Sequence, residues 1–111
     1  MVYELMANTY TNAKLDLTTT NVTTLYTCPA STVTVIKSIL VSEDSGNADT
    51  ITVTVTNGSS VYSLFKVKAV AANTTIELLT APLVLQTTEI LKVNAASANR
   101  LHVVASLLEV S

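Results

Sequence analysis

Tryptophan is absent from this 111-residue chain, and histidine and cysteine occur once each, at His102 and Cys28. A single cysteine excludes an internal disulfide. One histidine and one cysteine exclude the usual four-ligand zinc centres. Gly46 and Gly58 are the only glycines. Two isolated glycines cannot build a phosphate-cradling loop or the Gly-x-Ser-x-Gly elbow of a hydrolase. Charged residues make up only 13% of the chain, about half the roughly 25% usual in soluble domains. No apolar run approaches the ~20 residues of a membrane-spanning helix. The first residues, Met1-Val2-Tyr3-Glu4-Leu5-Met6, lack the basic start and apolar core of a signal peptide, so synthesis in a cytoplasm is expected. The six basic residues, Lys14, Lys37, Lys66, Lys68, Lys92 and Arg100, are scattered and leave a net charge of −2. That is no footprint for nucleic acid.

What is present is threonine in alternation with aliphatic residues. In Thr50-Ile51-Thr52-Val53-Thr54-Val55-Thr56, Ile51, Val53 and Val55 point one way and the threonines the other. Successive side chains of a strand face opposite sides, so this pattern is a half-buried antiparallel strand. Asn57-Gly58 follows it and accepts the positive φ of a two-residue hairpin loop. The same style recurs, and strands are expected at residues 9–17, 22–28, 32–42, 50–57, 61–68, 74–79, 83–85, 89–94 and 101–110. The short piece at 83–85 follows Pro82, which suits an edge. Many short strands with regular turns predict an all-β fold: one antiparallel β-sandwich of about eight strands, jelly-roll-like. Residues 8–111 form this sandwich domain, and residues 1–7 are expected to form an N-terminal arm.

Two strands are apolar on both sides. In 32–42, strict alternation places Val33, Val35, Ile39 and Val41 on one face and Ile36 and Leu40 on the other. In 101–110, Leu101, Val103, Ala105 and Leu107 oppose Val104, Leu108 and Val110. A small isolated sandwich wets one face of each strand. Two-sided strands and sparse charge therefore point to self-association, since interface cores are depleted of charge. The expected interface residues are Tyr3, Leu5, Val33, Val35, Ile36, Leu107, Leu108 and Val110.

Chemistry is thinly represented. His102 reads either as a hydrogen-bonded strand residue or as a general base needing a carboxylate and a nucleophile in a cleft. In the loop 43–49, Asp44, Asn47 and Asp49 offer oxygens to calcium, but the spacing departs from the EF-hand pattern; a solvated loop is the other reading. Tyr62 is the candidate ring for stacking on sugar, or else a cross-strand packing residue. Cys28 reads as a buried, inert thiol. No catalytic residue, cofactor site or metal site is assigned.

Several segments together carry a resemblance: Leu25-Tyr26-Thr27-Cys28-Pro29-Ala30, Val35-Ile36-Lys37-Ser38-Ile39-Leu40-Val41, Ile51-Thr52-Val53-Thr54-Val55, Leu83-Val84-Leu85, Glu89-Ile90-Leu91-Lys92-Val93 and Ala98-Asn99-Arg100-Leu101-His102-Val103. Their order over roughly residues 8–110 resembles small all-β structural proteins of tailed-bacteriophage virions. The turn before the long apolar strand and the late Leu91-Lys92-Val93 strand carry most of the likeness. The resemblance implies a non-enzymatic virion protein: a capsid decoration or cement subunit, a neck component or a tail accessory. Its partners would be other virion proteins and further copies of itself, with neither nucleic acid nor membrane. The alternative is a receptor- or glycan-binding module of a tail or fibre, which would show exposed aromatics or a calcium site. A small enzyme built around His102 is a third class.

Overall fold

A computed structural model describes residues 8–111. The expected arm contacts of Tyr3 and Leu5 lie outside the described residues. Nine strands form: β1 (Asn8–Asp16), β2 (Thr23–Thr27), β3 (Val33–Glu43), β4 (Asp49–Asn57), β5 (Ser60–Val70), β6 (Thr75–Glu77), β7 (Leu83–Leu85), β8 (Ile90–Ala95) and β9 (Leu101–Val110). They make two antiparallel sheets. Sheet A runs β1-β9-β3, with β6 and β7 both paired to the far side of β3, and sheet B runs β2-β8-β4-β5. The protein is an all-β sandwich.

The chain behaves as one long hairpin bent at the β4–β5 turn. Its two arms pair outward from that turn: β4 with β5, β3 with β6 and β7, β2 with β8, and β1 with β9. The paired arms then coil, so that β9 also meets β3 and β8 also meets β4. Asn57 pairs with Ser60, so the two loop residues are Gly58 and Ser59 rather than the expected Asn57 and Gly58. Only Gly58 takes positive φ, +61°, which matches a loop with glycine at its first position.

Side-chain alternation puts one apolar row of each central strand between the sheets. Leu101, Val103, Ala105 and Leu107 of β9 face Leu91, Val93 and Ala95 of β8 and Ile51, Val53 and Val55 of β4 within one buried cluster. Leu17, Leu25, Cys28, Val70, Leu78 and Leu85 close its margins. The Cys28 thiol is buried, as expected, and lies against the Thr32 carbonyl and the Thr34 hydroxyl.

Strand β3 departs from strict alternation. Ile36 pairs with Leu107 and Ser38 with Ser106, although Leu107 and Ser106 are adjacent, so Lys37 is an extra, unpaired residue. A bulge of this kind reverses which side chains face inward. Thr34 and Ile36 point into the core before it, and Ile39, Val41 and Glu43 after it, while Val33, Val35 and Leu40 face out. The two-sided appearance of this strand is a change of parity. Glu77 on β6 holds the bulge: its carboxylate accepts from the Ser38 hydroxyl, from the Ile39 N–H (2.8 Å) and from the Leu79 N–H (3.2 Å). Burial pushes the Glu77 carboxyl up, and these donors more than offset it, leaving the group below the usual carboxylate range.

Candidate interaction surface

The outward side chains of sheet A form rows across its strands. At one end, Tyr10, Leu108, Val35 and Val84 stand side by side on β1, β9, β3 and β7. The adjoining row holds Asn8, Val110 and Val33. Neither row contains a charge. Tyr10 is 73% exposed and Val84 52% exposed, while Leu108, Val35 and Val110 are partly covered by one another. The other half of the same face is charged. One row runs Lys14, Val104, Leu40 and Glu77, and the last runs Asp16, His102, Ser42 and Thr75. Lys37, at the bulge, marks the boundary beside a shallow hollow of about 340 Å³ shared with Tyr10, Asn12 and Ser106.

This geometry sorts the expected interface residues. Val33, Val35, Leu108 and Val110 come together on the uncharged end. Ile36 and Leu107 do not: at 0% and 2% exposure they pair with each other inside the core. The reason is the Lys37 bulge for Ile36, and for Leu107 its place on the inward row of β9. Both are removed from the surface set. Tyr10 and Val84 were missed, because a lone exposed tyrosine and a three-residue edge strand carry no periodic signal.

His102 lies on the charged half. Its Nε2 is 3.2 Å from Asp16 Oδ1 and its Nδ1 is 3.6 Å from Asp44 Oδ2. Ser42 is its cross-strand neighbour. A carboxylate lies at each ring nitrogen, and the shallow hollow of about 300 Å³ beside His102, lined by Lys14, Leu15, Asp16, Val103 and Val104, brings no hydroxyl or thiol nucleophile to the ring. The arrangement ties β1 and the loop after β3 to β9.

In the 43–49 region the carboxylates of Glu43 and Asp49 are turned to N–H groups. Glu43 is 2% exposed. It accepts from the Ser45 hydroxyl and from the N–H groups of Ser45 (2.8 Å), Gly46 (3.0 Å) and Asn73 (3.1 Å). Burial pushes this carboxyl up, but four donors to its ionised form outweigh that and bring it down to about 2. Asp49 accepts from the N–H groups of Thr50 (2.8 Å) and Ser97 (3.2 Å), and Arg100 donates to the Ala48 carbonyl (2.9 Å). Of the oxygens that the calcium reading needs, those of Asp49 face N–H groups and one of Asp44 faces His102, and no group of three or more His, Cys, Asp or Glu side chains suited to a metal ion occurs among the described residues. The loops at this end are pinned together.

At the opposite end, Tyr26 crosses between the sheets. Its hydroxyl bonds the Glu109 carboxylate and lies 2.8 Å from the Thr34 hydroxyl. Burial, then the bond to Glu109, pushes the phenol up to about 12 from an ordinary 10.0. The folded state therefore keeps a proton that the unfolded chain releases, so stability falls as pH rises from about 10 to about 12. Tyr26→Phe is expected to remove this alkaline loss. At neutral pH it should cost about 1–2 kcal/mol in a urea melt, through the bond to a charged acceptor.

The exposed aromatics occupy opposite margins. Tyr10 is on β1, at one edge of sheet A, and Tyr62, 58% exposed, is on β5, at the far edge of sheet B. They do not share a platform. The β5 edge is broken by two register shifts, and Val67, within the shift between Lys68 and Phe65, takes φ +53° while its N–H bonds Thr52 Oγ1 at 3.0 Å. Such kinks discourage strand-to-strand pairing along an open edge.

No family model matches the chain, and no curated protein matches it. Among solved structures, the chain is similar to the crystal structure of a pentameric capsid protein isolated from metagenomic phage sequences, at 18% identity and a TM-score of 0.45. The match covers 88% of this chain and 59% of that one, so this chain spans well under two thirds of that protein's length.

Proposed function

We propose that this protein is a non-enzymatic structural component of a tailed-phage virion that binds neighbouring subunits, as an accessory capsid decoration or cement protein or as a neck protein. The observation that carries this reading is the uncharged end of sheet A's outer face, where Tyr10, Val33, Val35, Val84, Leu108 and Val110 stand together. Contiguous apolar patches on small soluble domains mark surfaces that are covered in use. Depletion of charge is what distinguishes the centre of an interface from the rest of a surface.

The coiled-hairpin strand order is in keeping with a jelly roll, an architecture used by viral capsid domains and also by lectins. Fold alone therefore does not choose between adhesion to virion subunits and adhesion to glycan. The surface favours the first. Glycan stacking wants rings grouped on one platform, and Tyr10 and Tyr62 lie on different sheets. Covering the apolar rows would contribute roughly 25 cal/mol per Å² removed from water. Each contact is modest, and repetition in an assembly makes it effective by mass action.

The test is the mass of the purified protein in solution, alone and mixed with phage particles that lack it. A stable oligomer that reattaches to the particles is the expected result. Val84→Asp, on an exposed position, should keep the fold by circular dichroism and lose reattachment. A monomer that ignores particles and binds host-surface glycan would overturn the reading in favour of the receptor-binding module.

A further inference from the structure

We propose that the uncharged end of sheet A's outer face receives residues 1–7 of a second copy of this chain. The inference rests on the self-association contained in the reading above and names both halves of the contact. The first argument is where the segment attaches. Residue 8 is the first residue of β1 and pairs with Val110, in the row that borders Tyr10, Leu108, Val35 and Val84. From Asn8 the strand runs toward Asp16, so β1 begins at the apolar end of the sheet.

The second argument is composition. Met1, Val2, Tyr3, Leu5, Met6 and Ala7 are apolar or aromatic, and Glu4 carries the one charge. The receiving rows are apolar, and the one charge on their inner border is Lys37, which makes no ion pair among the described residues. One anionic residue in the segment therefore meets one cation beside the patch.

The third argument is reach. Seven extended residues span about 23 Å. Crossing four strands spaced ~4.8 Å apart takes about 15 Å. The segment is long enough to lie across the whole row from Tyr10 to Val84. Docking on its own sheet would demand a reversal immediately before Asn8, which is already committed to Val110. Residues 1–7 contain no glycine, proline, asparagine, aspartate or serine, the residues that dominate tight reversals. The second copy is the occupant that the geometry favours.

The experiment uses two full-length variants, Leu5→Cys and Val84→Cys, each purified alone and then mixed with a bis-maleimide. Cys28 is buried and does not compete. Val84 is 52% exposed and lies outside the core. The expected result is a cross-linked heterodimer that requires both new cysteines. A charge swap supplies an independent reading: Lys37→Glu should weaken self-association about fivefold in sedimentation, and Glu4→Lys in the same chain should restore it. A chain carrying both cysteines that links only within itself would overturn the proposal in favour of docking on its own sheet. Wild-type association that persists with no cross-link, or that survives deletion of residues 1–7, would overturn it in favour of another face. These outcomes are separate from the virion reading, which is judged by reattachment to particles: a heterodimer that ignores particles sinks that reading and leaves this contact standing.

Discussion

Ile36→Asp is expected to leave the chain unfolded, while Val35→Asp, one residue earlier, leaves the isolated chain folded with a small loss of stability. Ile36 is fully buried between the sheets and pairs with Leu107. A carboxylate there would lose its hydration without gaining a partner, a loss above about 4 kcal/mol that a domain of this size cannot absorb. Val35 faces outward between Leu108 and Val84, where a carboxylate stays in water. Val35 is half-buried in a central strand, so the change is expected to cost about 1 kcal/mol, far less than at Ile36. Urea melts followed by circular dichroism would read both. Equal losses at the two positions would show that the strand does not change parity at Lys37, and the assignment of Val33 and Val35 to the surface would fall with it. Val35→Asp should lose particle reattachment even though it folds, because it places a charge in the middle of the uncharged row.

Glu43→Gln is the second large effect. The carboxylate presents two oxygens to four donors: Ser45 N–H and hydroxyl on one, Gly46 and Asn73 N–H on the other. An amide is nearly isosteric, yet either orientation aims an NH₂ at donors already in place. Two part-buried donors lose their acceptor, and the loops after β3 and β5 lose their common anchor. The melting temperature at pH 7 should drop well below that of wild type. The pH dependence carries the signature. Glu43 has its folded-state value depressed to about 2 from 4.5, so its contribution is present above pH 4.5 and is lost as pH falls toward 2. The gap between wild type and Glu43→Gln should therefore be widest near neutrality and close through that window. A gap of constant size from pH 7 to pH 2 would mean that the carboxylate is not held ionised by these donors. Glu77, depressed in the same direction, adds acid sensitivity of the same sign to both proteins.

Most of the fold was legible because strands with one wet face announce themselves. Threonine alternating with Ile51, Val53 and Val55 placed β4, and the run from Leu101 to Leu107 placed β9 and its inward row. The bulge was legible only in part. Strict alternation would put Lys37 on the same face as Val33, Val35, Ile39 and Val41, and that misfit is the one sign in the sequence that the strand slips there. What repairs the slip is Glu77, 40 residues away, whose carboxylate takes the Ser38 hydroxyl and the Ile39 N–H. The hairpin loop moved by one residue for a related reason: Asn57 is more useful as the last rung opposite Ser60 than as a loop residue.

By itself, then, the sequence determined what depends on neighbours along the chain: strand positions, an all-β sandwich, a thiol without a partner, and a surface poor in charge. The tertiary structure decided what depends on registration between strands far apart in sequence. It split the apolar residues of β3 into core and surface, placed His102 between Asp16 and Asp44, and turned the carboxylates of Glu43 and Asp49 onto N–H groups. It also set Tyr10, Leu108, Val35 and Val84 in one uncharged row. Alternation tells which residues share a side of one strand. Only the hydrogen-bonded register between strands tells which sides meet, because a shift of a single residue exchanges the buried and exposed faces of everything beyond it.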